Sequence, residues 1–223
     1  MFVLYQCERP ALCLSRTSVR FAEGVEMPKV TEAYRTARRD EIIDAALRCF
    51  AVKGYQRTSM ADIIDESGLS AGAIYGHFAG KKELFAAVAS RVLDTRRGEL
   101  DARSGAADQP LSPGQVMATL LDGMRREPFA GIILQLWAEA AVDPDILDLV
   151  QGIFGRLRET VHASLAAWAA AEPGRVDGDP EAWAARLTPV VMGVGPGFMV
   201  QRAIIAGFDE EAYLAALPEA LPH

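Results

Sequence analysis

The chain has 223 residues, half of them hydrophobic and 24% charged, so it is long enough and apolar enough to bury a sizeable core in one large or two small domains. Its net charge of −7 argues, taken whole, against a nucleic-acid binder, but the charge is unevenly spread. Residues 27–97 carry 12 Lys and Arg against 9 Asp and Glu, residues 98–223 carry 8 against 18, and residues 1–26 balance. Charges are screened beyond about 8 Å at physiological salt, so a basic front can meet phosphates on an acidic protein.

Residues 1–26 show neither helical nor strand period and are expected to form a loose extension. Glu8, Arg9, Arg16 and Arg20 interrupt their short apolar runs, so they do not read as a signal peptide. From Arg38 the pattern turns helical, with Ile43, Ala46, Leu47 and Phe50 on one face and Gly54 placed to end the helix in the left-handed region. Cys49 falls on the apolar face and reads as a small buried hydrophobe. With Cys7 and Cys13 it makes no metal or redox spacing, and no metal or cofactor is expected.

Thr58 and Ser59, followed by Asp62, form a hydroxyl-and-acid capping signal for a short helix over 60–66. Gly68 supplies a turn, and Ser70 caps a second helix over 71–77. After a break at Phe78, Ala79 and Gly80, an amphipathic helix is predicted over 81–97, and the turn-rich residues 98–114 read as a loop. Helices are then expected over 113–126, 128–142, 144–171, 179–207 and 209–217. Strand-like alternation is essentially absent, so the expected fold is all-α. The longest apolar stretch, between Arg186 and Arg202, is cut by Pro189 and Pro196 and is too short for a bilayer, which favours a cytoplasmic protein with no membrane partner.

Residues 59–78 thus read as helix, glycine turn, helix. Ile63, Leu69 and Ile74 are placed to lock the two helices into a rigid pair. The second helix opens on Ser70, Ala71, Gly72 and Ala73, a leading turn with nothing bulky on it, which suits close approach to base edges in a major groove about 12 Å wide. Residues 42–50, Gly54, Thr58-Ser59, Ala61-Asp62-Ile63, Gly68-Leu69-Ser70, Gly72-Ala73-Ile74-Tyr75, His77-Phe78 and Lys81-Lys82-Glu83-Leu84-Phe85, in this order and spacing, resemble the TetR-type repressors over about 38–88.

The resemblance implies a three-helix, homeodomain-like DNA-binding domain over 27–85 and a larger helical bundle over 86–223 that dimerises and binds a ligand. It implies phosphate contacts at Tyr75, His77, Lys81 and Thr58, with Ser59 beside it, and base reading by Ser70, Ala71, Gly72 and Ala73. For Lys81 there is an independent argument. A cation in the first turn of a helix opposes the macrodipole by about 0.3–1 kcal/mol, a penalty that a phosphate bound between Lys81, Lys82 and the helix end would remove. Many relatives carry a longer polar side chain where this chain has Ala71, which leaves that position only an apolar contact.

In the back half the two long apolar helices are expected to pair with a second copy through Leu157, Val161, Leu165, Val194, Phe198 and Ile205. Met117, Leu121, Met124, Ile133, Trp137 and Phe154 are the expected cavity lining, with Glu127, Glu139 or Gln135 as polar readers, an acid favouring a cationic ligand. The run Gly193-Val194-Gly195-Pro196-Gly197 reads as a helix kink at the dimer interface in preference to a cavity wall. The reading that results is a homodimeric repressor of a palindromic double-stranded DNA operator, released by a small-molecule effector. The alternatives are a regulator that senses no ligand or activates, and a small helical enzyme. The enzyme is disfavoured because His77, His162 and His223 are scattered and form no catalytic or metal spacing.

Overall fold

The structure, a computed structural model, describes residues 31–107, 109–127 and 130–222. The expected extension over 1–26 and the first residues of the expected front domain, 27–30, lie outside the described residues. Every regular element among the described residues is a helix. α1 (Glu32–Arg57) starts six residues before the predicted onset at Arg38 and is capped by the Thr31 hydroxyl, which accepts from the Tyr34 N–H at 3.3 Å. Its first turns are exposed and hold together by polar contacts such as the Arg38 guanidinium donating to the Tyr34 hydroxyl at 2.8 Å, so they carry no apolar period. Further on, Ile42, Ile43, Ala46, Cys49 and Phe50 form the buried stripe. Gly54 breaks the helical angles with φ +76°, the conformation that places a glycine there.

α2 (Met60–Ser67) and α3 (Ala71–Tyr75) follow, joined by Gly68 in the left-handed region at φ +67°. α4 (Lys81–Gly105) corrects the predicted break at residue 97. It continues for two more turns because Leu100 is buried against the back core and Glu99 pairs with Arg96 and Arg126, while Gly98 keeps ordinary helical angles. The remaining helices are α5 (Pro113–Arg125), α6 (Ala130–Ala140), α7 (Pro144–Ala170), α8 (Pro180–Ile204) and α9 (Glu210–Ala220). Ser112, Asp143, Asp179 and Asp209 cap α5, α7, α8 and α9, and the first three of these helices open on proline.

Two apolar cores result. The first joins α1–α4 with Ile132 and Leu136 of α6 and Ile146 and Leu149 of α7. The second holds Leu100, α5, the far half of α7, α8 along its length, and Leu217 of α9. α4 runs unbroken from one to the other. At the junction Phe85 is 4% exposed, its ring edge-on to Phe50 at 5.1 Å and to Tyr55 at 5.0 Å.

Candidate DNA-binding surface and ligand cavity

α2 is held on α1 by three polar contacts. Arg48 donates to Glu66 at 2.6 Å, Lys53 to Asp62 at 2.6 Å, and the Cys49 thiol lies 3.6 Å from the Asp62 carbonyl. Asp62 closes a full capping box: its carboxylate accepts from the Ser59 N–H at 2.8 Å, while the Ser59 hydroxyl accepts from the Asp62 N–H at 3.1 Å. The Lys53 ammonium, then the Ser59 amide and hydroxyl, hold the Asp62 carboxyl down at about 2. Ile63, Ile74 and Phe78 are fully buried beneath the pair and Leu69 packs against the same core. α2 and α3 are thereby fixed to the body.

With its inner side spent on Ile74, α3 turns Ser70, Ala71, Gly72 and Tyr75 outward, and the Tyr75 ring is 52% exposed. Ala73 and His77 are half-buried and Ser59 is exposed. Ser70 caps α3 as the sequence predicts, accepting from the Ala73 N–H at 3.3 Å.

Two expected contacts are placed differently. Thr58 is 1% exposed, and its hydroxyl reaches the Gly54 carbonyl at 2.7 Å and the Cys49 carbonyl at 3.3 Å, closing the end of α1. That side chain faces inward and offers nothing to a phosphate. The Lys81 ammonium donates to the Tyr55 carbonyl at 3.1 Å and lies over the Tyr55 ring at 4.5 Å, with the Gln56 carbonyl at 3.4 Å; burial lowers its pKa. Lys82 pairs with Asp145 at 3.1 Å. The helix-end penalty at α4 is thus relieved by the C-terminal carbonyls of α1 and by an acid of α7, with no need of a phosphate.

Behind this front, residues of α4–α8 line a cavity of about 120 Å³. Met117, Leu121, Met124, Ile133, Trp137 and Phe154, the six residues singled out in the sequence, all line it. Trp137 and Phe154 meet edge-on at 5.8 Å. Phe85 forms the wall toward the front, and Gly195 and Pro196 form part of the α8 wall, so the glycine-rich run contributes to the cavity more than the sequence reading allowed. Of the expected polar readers, Glu127 is paired with Arg96 at 3.2 Å, and neither Glu139 nor Gln135 reaches the lining.

The sequence reading missed Arg96, the one charged side chain on the wall among the described residues. Its signal lay in the stripe Phe85, Ala89, Val92, Arg96, Leu100, where an arginine occupies an apolar helical register.

The expected pairing surface also needs correction. Val161, Leu165 and Phe198 are fully buried in the chain's own second core, and Leu157 lines the cavity. Val194 is half-buried against that core. Of the six, only Ile205 is exposed, at 47%. The large apolar side chains that α8 leaves uncovered are Val190, Val200 and Ile204. The periodicity that marks a buried face is the same whether the covering surface belongs to one chain or to its copy.

Comparison with known proteins agrees with this geometry. Residues 42–88 match the family model described as bacterial regulatory proteins, tetR family, and residues 115–223 match that of the BetI-type transcriptional repressor C-terminal region. The chain is 33% identical over 98 residues to the HTH-type transcriptional regulator YfiR of Bacillus subtilis, covering 44% of this chain and 48% of that one. It is 31% identical over 185 residues to the HTH-type transcriptional repressor AcnR of Corynebacterium jeikeium, covering 82% of this chain and 93% of that one. The matches to the first curated relatives span roughly half of their length, from 37% to 58%. A solved structure from Saccharomonospora viridis in complex with choline shares the fold at a TM-score of 0.58 and 22% identity, covering 82% of this chain and 95% of that one. These relatives are regulators and not enzymes. With a capped helix-turn-helix on a helical body, and an alignment running over most of a curated relative, the chain belongs to the TetR family of bacterial regulatory proteins.

Proposed function

We propose that this protein is a cytoplasmic repressor that binds a palindromic operator as a homodimer and releases it when a small apolar molecule fills the cavity. The observation that carries the reading is α3: a rigidly backed helix whose exposed leading turn bears only Ser70, Ala71 and Gly72, so its backbone can approach bases closely. Ser59, Tyr75 and His77 flank it as phosphate contacts, and Ala73 completes the reading turn. Residues 27–85 form the DNA-binding part and 86–223 the sensing part.

Two copies are joined through the outer face of α8. Val190, Gly193, Gly197, Val200 and Ile204 recur there at helical spacing, and Ile204 is 75% exposed. A two-fold axis through this face sets two copies of α3 to read half-sites one helical turn apart, about 34–36 Å.

Phe85 is the coupling element. It lines the cavity on one side and touches Phe50 and Tyr55 on the other, and Tyr55 carries the carbonyl held by Lys81. A ligand that displaces Phe85 changes the seat of α1 and with it the spacing of the two recognition helices. Selection from random duplex DNA tests the reading: a palindrome of two half-sites is expected, bound by a dimer in light scattering. Recovery of no enriched sequence refutes it.

A further inference from the structure

A DNA-binding face has to neutralise phosphates, and little of the positive charge on the front helices is free to do so. Arg38, Arg48, Lys53 and Lys82 are engaged by Glu41, Glu66, Asp62 and Asp145, and Arg91 by Asp44. Lys81 is held by backbone carbonyls, and Arg57 donates to the Lys53 carbonyl at 2.9 Å. Of the described cations from α1 to Arg91, that leaves Arg35 and Arg39, both exposed and neither in an ion pair with a described acid.

Arg39 is the one beside the recognition helix. Its guanidinium carbon lies 5.1 Å from the centre of the Phe78 ring, and Phe78 directly follows His77, just past the end of α3. Phe78 is 1% exposed, so the ring is anchored in the core while the arginine above it stays in solvent. The positions three and four residues from Arg39 hold Arg35, Thr36, Ile42 and Ile43 and no acid. No described group accepts a hydrogen bond from its side chain, so its fork of N–H donors is open to a phosphate. Arg35, one turn earlier on the same side, repeats the charge near the N-terminal end of α1, where the helix dipole and the like-charged neighbour both disfavour a cation. An anion bound across this face removes both penalties together.

We infer that Arg39 is a phosphate contact of the operator complex, carried by α1 outside the helix-turn-helix and anchored on Phe78 at the Tyr75–His77 end of α3. This rests on α3 being the helix that reads DNA. The competing account is that Arg39 only covers the Phe78 ring. Fluorescence anisotropy of the full chain with a labelled duplex of mixed sequence, from about 50 to 200 mM salt, separates the two. Each phosphate contact adds about 0.9 to the slope of log affinity against log salt. Arg39→Gln is expected to lower that slope by about 0.9 per protomer, which weakens binding about eightfold per protomer at about 0.1 M salt.

Arg39→Lys keeps the charge and should keep the slope. Arg103→Gln removes the same charge at the far end of α4 and should also leave the slope unchanged. An unchanged slope in Arg39→Gln, or a fall as large in Arg39→Lys or Arg103→Gln, overturns the contact. If the unaltered chain binds no duplex, the reading of α3 itself fails. Arg39→Met, whose side chain also covers the ring, gives the same comparison if the glutamine variant does not fold.

Discussion

Truncating Phe85 to alanine tests whether the two cores are joined as described. The ring is 4% exposed and makes two edge-on aromatic contacts, at 5.1 and 5.0 Å. Loss of a buried phenylalanine costs about 3–5 kcal/mol, and each aromatic pair carries about 0.5–1.5 kcal/mol of specific interaction within that range. The void left behind opens onto an existing cavity of about 120 Å³, so the surroundings have little with which to fill it, which places Phe85→Ala in the upper part of the range. For a chain of this size that is a fall of roughly 6–20 °C in the thermal midpoint. Urea denaturation followed by far-UV circular dichroism measures the free-energy loss, and a temperature scan measures the midpoint. Phe154→Ala is the comparison: a half-buried ring on the same cavity with one aromatic partner at 5.8 Å, expected to lose clearly less. A loss under about 1 kcal/mol for Phe85→Ala, or one equal to that of Phe154→Ala, refutes Phe85 as the joint between the cores.

Gly68→Ala is expected to cost about 1–2 kcal/mol by chemical denaturation. The backbone sits at φ +67° with open space around it, so an unchanged midpoint would show that no left-handed turn is needed there. Asp62→Ala should remove a pH-dependent part of stability. The folded carboxyl titrates at about 2, below its ordinary value, so its contribution is present above roughly pH 4 and is lost as pH falls toward 2. Thermal midpoints at pH 5 and 2.5 should therefore converge between variant and parent at the lower pH, and a constant gap contradicts the linkage. Tyr75→Ala, at a 52% exposed position, should leave stability within about 0.5 kcal/mol while weakening binding to every duplex alike in fluorescence anisotropy; a loss confined to one sequence would make Tyr75 a base reader. Ile204→Glu should yield folded monomers in light scattering, and a persisting dimer would move the interface off this face of α8.

The sequence was most readable where one residue type does one local job. Gly54 and Gly68 take positive φ, and Ser59 and Ser70 cap the helices placed after them. These are short-range effects written within four residues of one another. Legibility failed where the deciding partner is distant. α4 continues past Arg97 because Leu100 and Glu99 find partners on the back half, and the first turns of α1 bury too little to show a period. The cavity lining was legible because methionine and aromatic side chains on facing helices converge there. Arg96 was not, because an arginine on an apolar register is read as noise until its buried neighbours are seen. The pairing surface failed for a geometric reason: Val161, Leu165 and Phe198 have the composition of an interface but already meet each other's helices inside one chain.

The shared first core has a consequence for how the molecule comes apart. Ile132, Leu136, Ile146 and Leu149 belong to the same apolar cluster as Ile42, Phe50 and Phe78. The front helices therefore do not own a complete core, and they and the back helices bury each other's surface. Melting of either part exposes the other, so a single denaturation transition, with no stable front domain left behind, is the expected outcome. A repressor built this way cannot signal by swinging a free head on a hinge. Under the proposed ligand release, the motion passed through Phe85 would be a slip between packed helices, small in distance and felt at once by the whole fold.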